Sequence, residues 1–332
     1  MEQIRDNIFR IGVPLRGNPL KEVNSYLIRG KERDLLIDTG FRRPECVETL
    51  QAGLQEAGSN KKRLDIFLTH LHSDHTGMSA DIAGADSRIY LHEKDLKLME
   101  KVLDGRYRAE MGNRFVPEGM PADMVERIQN TNPARLAALK STDSRFVPIQ
   151  DGHIFQYSGY ELQALLMPGH SPGQMMLWLE SEKIMFTGDH VLFDITPNIT
   201  AYVEMEDALG SYLESLERAF TFPVEQALPG HRKPGNYHDR IRSLTAHHEK
   251  RIAQAKMIVT TYPGLTAYDI TGHMTWKIHA VGKKGPATWE EFPKTQRWYA
   301  VGECLSHLDY LRKRGVIRRE NVNGVFHYFP VK

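Results

Sequence analysis

Cysteine is nearly missing from this chain. Cys46 and Cys304 are the only two among 332 residues, and they lie far apart. That scarcity argues against a disulfide scaffold and against thiolate metal ligation, and a reducing compartment is the simplest reading. A surplus of one charge is also lacking. Lys plus Arg number 43 against 42 Asp plus Glu, so no global basic field draws nucleic acid. No apolar run approaches the length of a membrane span. The start, Met1-Glu2-Gln3-Ile4-Arg5-Asp6, carries acids where a signal peptide needs an apolar core. There is no internal repeat and no low-complexity tract. The expectation is a cytoplasmic protein with no membrane partner.

What is present is an ordinary globular composition, 41% apolar and 26% charged, in a chain long enough for more than one domain. Residues 1–92 read as short strands with one helix. Asn24 to Ile28 and Asp34 to Ile37 are strand-like. Pro44 to Ala57 reads as a helix, with Val47, Leu50 and Leu54 on one face and Gly58 as its stop. Leu64 to Leu68 and Arg88 to Leu91 are further strands. Residues 93–140 turn charged and helix-rich and hold Met99, Met111, Met120 and Met124, so a helical insertion is expected there. Those methionines either line an adaptable apolar pocket or simply pack two helices.

Strand patterns return at Arg145 to Ile149, Ile154 to Tyr157, Glu161 to Leu166, Gln174 to Leu179 and Lys183 to Phe186. A helix is expected over Glu206 to Phe220, then a short strand, Glu225 to Leu228. A long helix is expected from Asn236 to Thr260. Beyond it Thr266 to Ile278 and Tyr299 to Arg314 look helical, and Asn323-Gly324 marks a hairpin turn. Helices followed by a hairpin suggest a winged-helix-like module. The expected division is a metal-binding domain over 1–240 and a linker helix with that module over 241–332.

Histidine is placed where it can do chemistry. His70, His72, Asp74 and His75 fall within six positions, in Thr69-His70-Leu71-His72-Ser73-Asp74-His75-Thr76-Gly77, directly after an apolar run. His170 lies in Pro168-Gly169-His170-Ser171-Pro172-Gly173, Asp189 in Thr187-Gly188-Asp189-His190, and His231 in Pro229-Gly230-His231. Each follows its own apolar run through small residues, which let backbone approach an ion closely. In an extended loop alternate side chains point the same way, so His70 and His72 can converge on one ion while Asp74 and His75 reach a neighbouring one. Thr76-Gly77 is expected to turn the chain into a helix whose positive end faces the site. Imidazole and carboxylate in this number suffice for two zinc-like divalent ions, with iron or manganese also compatible. His153, His190, His238, His247 and His248 read as packing or solvated residues.

These four stretches, with Ile37-Asp38-Thr39-Gly40 upstream as the fifth, resemble the metallo-β-lactamase superfamily, and its glyoxalase-II-like hydrolases in particular, which carry the Asp of His-x-His-x-Asp-His. The resemblance implies an αββα sandwich with metals held in loops along one edge. It implies that His70, His72 and His170 bind one ion, that Asp74, His75 and His231 bind the other, and that Asp189 bridges both. Asp38 would support the site without ligating. A metal ion lowers the pKa of bound water to about 7, so hydroxide would be available to attack an ester, thioester or phosphoester. Asp74 is the candidate catalytic residue, accepting a hydrogen bond from that water besides ligating.

The fold alone does not choose a substrate. A small ester or thioester of hydroxyacylglutathione or acyl-coenzyme-A type is the leading expectation, and the neutral total charge fits it. The alternative is a metal-dependent endoribonuclease similar to lactamase-beta-2-type proteins, which also attach a winged-helix-like module. Arg312, Lys313, Arg314, Arg318 and Arg319 would then offer a basic face to RNA. The same module could instead serve as a structural or homodimer element. A non-enzymatic metal sensor ranks last because all seven ligands are intact. Quorum-quenching lactonases of this superfamily carry a Tyr shortly after the bridging Asp. The run Asp189-His190-Val191-Leu192-Phe193-Asp194 has none, so that activity is disfavoured, as is a β-lactamase role.

Overall fold

The computed structural model describes residues 1–131, 137–277 and 287–331. Residues 132–136 of the expected insertion and Ile278 of an expected helix lie outside them. Two compact units emerge. One comprises 1–104, 133–197 and 215–242; the other comprises 105–132, 198–214 and 243–332.

The first unit carries two sheets. The larger has seven strands in chain order: β1 (Glu2–Arg5), β2 (Ile8–Leu15), β3 (Lys21–Ile28), β4 (Asp34–Ile37), β5 (Leu64–Phe67), β6 (Ile89–His92) and β7 (Phe146–Ile149). Pairing is antiparallel as far as β4 and parallel from β4 to β7. The smaller sheet runs β12 (Gln226–Pro229), β11 (Ile184–Gly188), β10 (Met175–Leu179), β9 (Tyr160–Leu166) and β8 (Ile154–Tyr157), with only β11 and β12 parallel.

Central strands are apolar on both faces, as sheets covered on both sides require. Along β4, Leu35 and Ile37 enter one core while Leu36 enters another. Along β5, Phe67 takes the first side and Leu64 and Ile66 the second. The first core lies between the sheets, where Phe67 meets Phe155 edge-on at 5.7 Å and Tyr26 meets Phe186 at 5.3 Å. The second core is roofed by helix α1 (Pro44–Glu56), which contributes Leu50 and Leu54, and by Met78, Ile82 and Met99. This gives the αββα layering in its essentials.

Chain direction positions the site. β4 and β5 are parallel, as are β11 and β12. Their carboxyl ends deliver Asp38, His70, Asp189 and His231 to loops, and open sheets bind ligands at such ends. One local expectation is corrected here. The His-x-His-x-Asp-His stretch is not wholly a loop, and the helix expected beyond Gly77 is a single turn. One-turn helix α2 (Ser73–Thr76) already contains Asp74 and His75, because His75 and Thr76 both donate their backbone N–H to the His72 carbonyl at 3.0 Å. A second turn, α3 (Ser79–Ile82), follows, and then α4 (Glu93–Leu103) after β6.

The second unit is mainly helical, with α5 (Arg106–Phe115) and α6 (Ala122–Thr131) from the expected insertion. Helix α7 (Ala208–Phe220) starts two residues later than the sequence suggests, where Asp207 Oδ1 accepts the Gly210 N–H at 2.8 Å. Then come α8 (Tyr237–Thr261), α9 (Ala267–His273) and α10 (Lys294–Lys313). The expected Asn-Gly hairpin is present, β13 (Ile317–Val322) against β14 (Val325–Pro330). Met111, Phe115 and Ile128 share a core with Leu305, Leu308 and Tyr328. No described helix is long and apolar enough to cross a membrane.

Candidate metal centre

All seven side chains singled out from sequence come together. Ligand-type atoms of His70, His72 and His170 lie within 4.8 Å of one another, and so do those of Asp74, His75 and His231. Asp189 reaches both groups. Its Oδ2 is 3.7 Å from His170 Nε2 and 3.5 Å from His231 Nε2, and its Oδ1 is 3.5 Å from His75 Nε2.

The outer nitrogens of three rings are fixed by partners that decide where the protons sit. A backbone carbonyl can only accept, so His231 Nδ1 donates to Glu22 O at 2.7 Å. His75 Nδ1 donates to Asp38 Oδ2 at 2.7 Å. Thr69 Oγ1 donates to Asp38 Oδ2 at 2.8 Å, which leaves it an acceptor for His70 Nδ1 at 3.0 Å. With Nδ1 so engaged, each of these rings in its neutral form turns an Nε2 lone pair inward. His75 Nε2 and His231 Nε2 face each other at 3.3 Å, and His70 Nε2 faces His72 Nδ1 at 3.0 Å.

Inward lone pairs at that spacing repel unless a cation or proton lies between them. Bonds of about 2.0–2.1 Å at a tetrahedral angle put ligand atoms roughly 3.3 Å apart. Asp189 Oδ1 is in addition buried with no hydrogen-bond partner. The residues present thus fit a divalent-cation site.

Electrostatics agree in direction. Burial lowers the His70 pKa far below the usual imidazole value, reinforced by His75 and His72, and His72 is pushed down to about 3 by burial and His170. For His75 and His231 burial also lowers the pKa, but carboxylates reverse it: Asp38 and Asp189 raise His75, and Asp189 and Asp74 raise His231. Burial would raise Asp74, yet the hydrogen bond with His231 and the charges around it hold it down to about 2. Asp189 is depressed further still, against its burial, by His231 and His75. His70 and His72 are thus neutral nitrogen donors and Asp74 and Asp189 anionic oxygen donors, while the carboxylates around His75 and His231 favour positive charge there; oxygen and imidazole nitrogen together are the donor set for zinc, iron or manganese.

Supporting residues come from strands as well as loops. Asp38 sits in the left-handed region at φ 59°, which Asp tolerates better than most residues. There it accepts Thr69 N–H at Oδ1, 2.8 Å, besides its two bonds at Oδ2. Asn24 on β3 donates through Nδ2 to Pro229 O at 2.8 Å and Arg232 O at 2.9 Å, and Tyr26 OH donates to Pro229 O at 2.9 Å. These bonds stitch the His231 loop to the larger sheet. Gly230 leaves no alternative side chain: a Cβ there would lie 2.5 Å from Asp189 Oδ1 and 2.9 Å from His75 Cε1. Asn24 had a faint sequence signal, a lone amide inside an apolar strand. Asp95, buried behind the two histidine loops, had none.

Among the described residues, His153, His190 and His238 belong to neither ligand group. His153 lies 4.6 Å from the Phe155 ring, and His238 Nε2 donates to Phe222 O at 3.1 Å. His190 is buried, and burial pushes its pKa down to about 3.

Comparison with known proteins bears on the whole arrangement. An Atrochrysone carboxyl ACP thioesterase from Emericella nidulans is 27% identical over 231 residues, which cover 70% of this chain and 57% of that protein. The chain thus spans little more than half the length of that relative. A lactamase-like protein, adaB of Aspergillus niger, is 26% identical and covers 91% of this chain and 88% of its own. Among solved structures, metallo-beta-lactamase family protein TTHA1429 from Thermus thermophilus superposes with a TM-score of 0.82 at 27% identity, covering 99% of this chain and 100% of its own. The metallo-beta-lactamase superfamily, whose members imply divalent metal ions, is matched over residues 19–231. With that span and the site geometry in agreement, this chain belongs to the metallo-beta-lactamase superfamily.

Proposed function

We propose that the protein is a dinuclear metal-dependent hydrolase acting on acyl thioesters. The observation that carries this reading is the inward aim of lone pairs from two separate groups of side chains with Asp189 between them. In this reading His70, His72 and His170 would hold one ion, Asp74, His75 and His231 would hold the other, and Asp189 would be shared between them. Zinc is the first choice of metal because neutral imidazole dominates the donor set.

When bound, such ions lower the pKa of a coordinated water to about 7 and neutralise charge developing on a carbonyl oxygen. The chain's own residues then orient and move protons. Asp74, ionised at neutral pH, accepts a hydrogen bond from the attacking water and can take its proton. Water oxygen bonds to the thioester carbonyl carbon, the carbon–sulfur bond breaks, and the thiolate leaves and is protonated from solvent. Asp38 orients the His75 ring and, through Thr69, the His70 ring, and Asn24 holds the His231 loop.

Thioester is favoured over other esters by several relatives that are Atrochrysone carboxyl ACP thioesterases, at 25–30% identity. The basic residues that could offer a face to RNA each have a carboxylate beside them: Arg312 Asp309, Lys313 Glu206, Arg314 Asp207, Arg318 Glu320 and Arg319 Glu118. A compensated cluster is a weak lure for phosphate.

The test is release of free thiol from acyl-coenzyme-A, acyl-glutathione and carrier-protein thioesters by zinc-loaded protein, beside single-stranded RNA, with and without chelator. Chelator-sensitive thioester cleavage that His170→Ala and Asp189→Ala abolish is the expected result. RNA cleavage without thioester cleavage would overturn the reading.

A further inference from the structure

Two loops supply the three histidines of the first group. His70 and His72 flank Leu71, and His170 precedes Ser171. Both loops end on one side chain that is not a ligand. Asp95, in the first turn of α4, is buried. Its Oδ2 accepts the Leu71 N–H at 2.9 Å and the Ser171 hydroxyl at 2.6 Å, and its Oδ1 accepts the Gly173 N–H at 2.6 Å. The fit is close. A Cβ on Gly173 would lie 2.8 Å from the Asp95 carboxyl carbon and from its backbone nitrogen.

We propose that Asp95 is a positioning residue for one subsite only, clamping the His70–His72 loop to the His170 loop and thereby setting the geometry of the three-imidazole ion. The inference rests on the dinuclear reading given above.

The selectivity follows from where the anchors run. The second group is anchored elsewhere: His75 on Asp38, His231 on Glu22 O, and the His231 loop on Asn24 and Tyr26. None of those bonds passes through Asp95. The clamp also needs a carboxylate. Three donors converge on two oxygens, and an asparagine would offer one oxygen and turn an N–H₂ toward a donor. Helix α4 holds the clamp rigidly through buried Leu98 and Met99.

The experiment compares the full chain with Asp95→Asn and with Ser171→Ala, titrating zinc against a competing chelator and recording the visible spectrum of the cobalt(II)-loaded proteins. Wild type should take two ions. Asp95→Asn should bind one ion as wild type does and the other about 10–100-fold more weakly, the range for outer partners of metal ligands. The cobalt band of the three-imidazole ion should fade first. Ser171→Ala removes one of the three bonds and leaves the carboxyl group in place, so it should show a smaller shift confined to the same ion. It also keeps the test decisive if Asp95→Asn does not fold.

Equal weakening of both ions would mean a merely structural role and would overturn the proposal. Two wild-type affinities in both variants would overturn it as well. Absence of bound ions in wild type would instead bring down the dinuclear reading, and the clamp with it.

Discussion

Asp38 Oδ2 lies 2.7 Å from His75 Nδ1, with both residues buried. The same oxygen receives the Thr69 hydroxyl, and the other oxygen of that carboxylate receives the Thr69 N–H. Through Thr69, Asp38 also fixes the His70 ring. One carboxylate thus sets the tautomer of a histidine in each ligand group, which makes it a deeper dependency than any single ligand.

Asp38→Asn should accordingly weaken both ions of the proposed dinuclear site. The amide can orient its oxygen to only part of this set, and its N–H₂ would face a donor. Outer partners of metal ligands typically cost 10–100-fold in affinity, so about that loss is expected at each ion, read by chelator competition. Thr69→Val should affect the His70 side more than the His75 side. Unchanged affinities in Asp38→Asn would refute the tautomer argument.

Removing metal should lower thermal stability. An ion that binds only the folded state at 100 times its Kd contributes about 2.7 kcal/mol. Calorimetry with and without chelator should therefore show a lower Tm in chelator, restored by added zinc and not by magnesium, which imidazole ligands suit poorly. A Tm indifferent to chelator and zinc would argue that the converging side chains hold no ion.

Much of the ligand set was legible in the sequence because each ligand ends an apolar run with small residues beside it. Strand ends place such residues at one sheet edge almost regardless of detail. What holds the ligands was far less legible. Asn24 and Tyr26 fall in an expected strand, where the lone amide is only a faint signal, and Asp95 falls in the charged 93–140 stretch with nothing to single it out. Their roles arise from pairings across long stretches of chain, and local pattern carries no trace of those. The one-turn helix at Ser73–Thr76 was missed for a related reason. Four residues are too few to display a helical period, and the turn is fixed by the His72 carbonyl. The sequence indicated a helix-rich insertion over 93–140 and a helix over Tyr299 to Arg314 but not that Phe115 stacks on Trp298 at 4.2 Å.

Acid stability should depend on Asp65, far from the ligands. Arg33 grips this carboxylate with two bonds, 2.6 and 2.7 Å, and Tyr157 OH and Arg88 N–H add 2.8 Å bonds. Burial would raise its pKa, but the Arg33 hydrogen bond and the others bring it below the usual carboxylate value. A depressed folded-state pKa gives stability that is full above the unfolded value, about 3.9, and fades as pH falls through the folded one. Asp65→Asn should cost about 2 kcal/mol at pH 7, less than for a fully buried pair because Arg33 is partly exposed. Urea titrations at pH 7 and pH 3 should show the gap between wild type and variant shrinking in acid. A gap that widened in acid would contradict the sign.

The second unit has its own buried charge, Glu118. Its Oε1 accepts Arg114 Nη1 at 2.7 Å and Arg319 Nη1 at 2.6 Å, and its Oε2 accepts Tyr328 OH at 2.7 Å. Arg319 and Tyr328 belong to the two strands of the terminal hairpin, so this carboxylate ties the hairpin to the α5 end. Removing one member of a buried pair typically costs 3–5 kcal/mol because a charge is stranded. Here Arg114 keeps Asp309 at 2.5 Å, which softens the loss. Glu118→Gln should therefore destabilise by about 2–3 kcal/mol and speed amide exchange in Ile317–Val322 and Val325–Pro330 first. Exchange that rose uniformly across the chain, with the hairpin no faster than the rest, would show that Glu118 does not act as the hairpin's anchor.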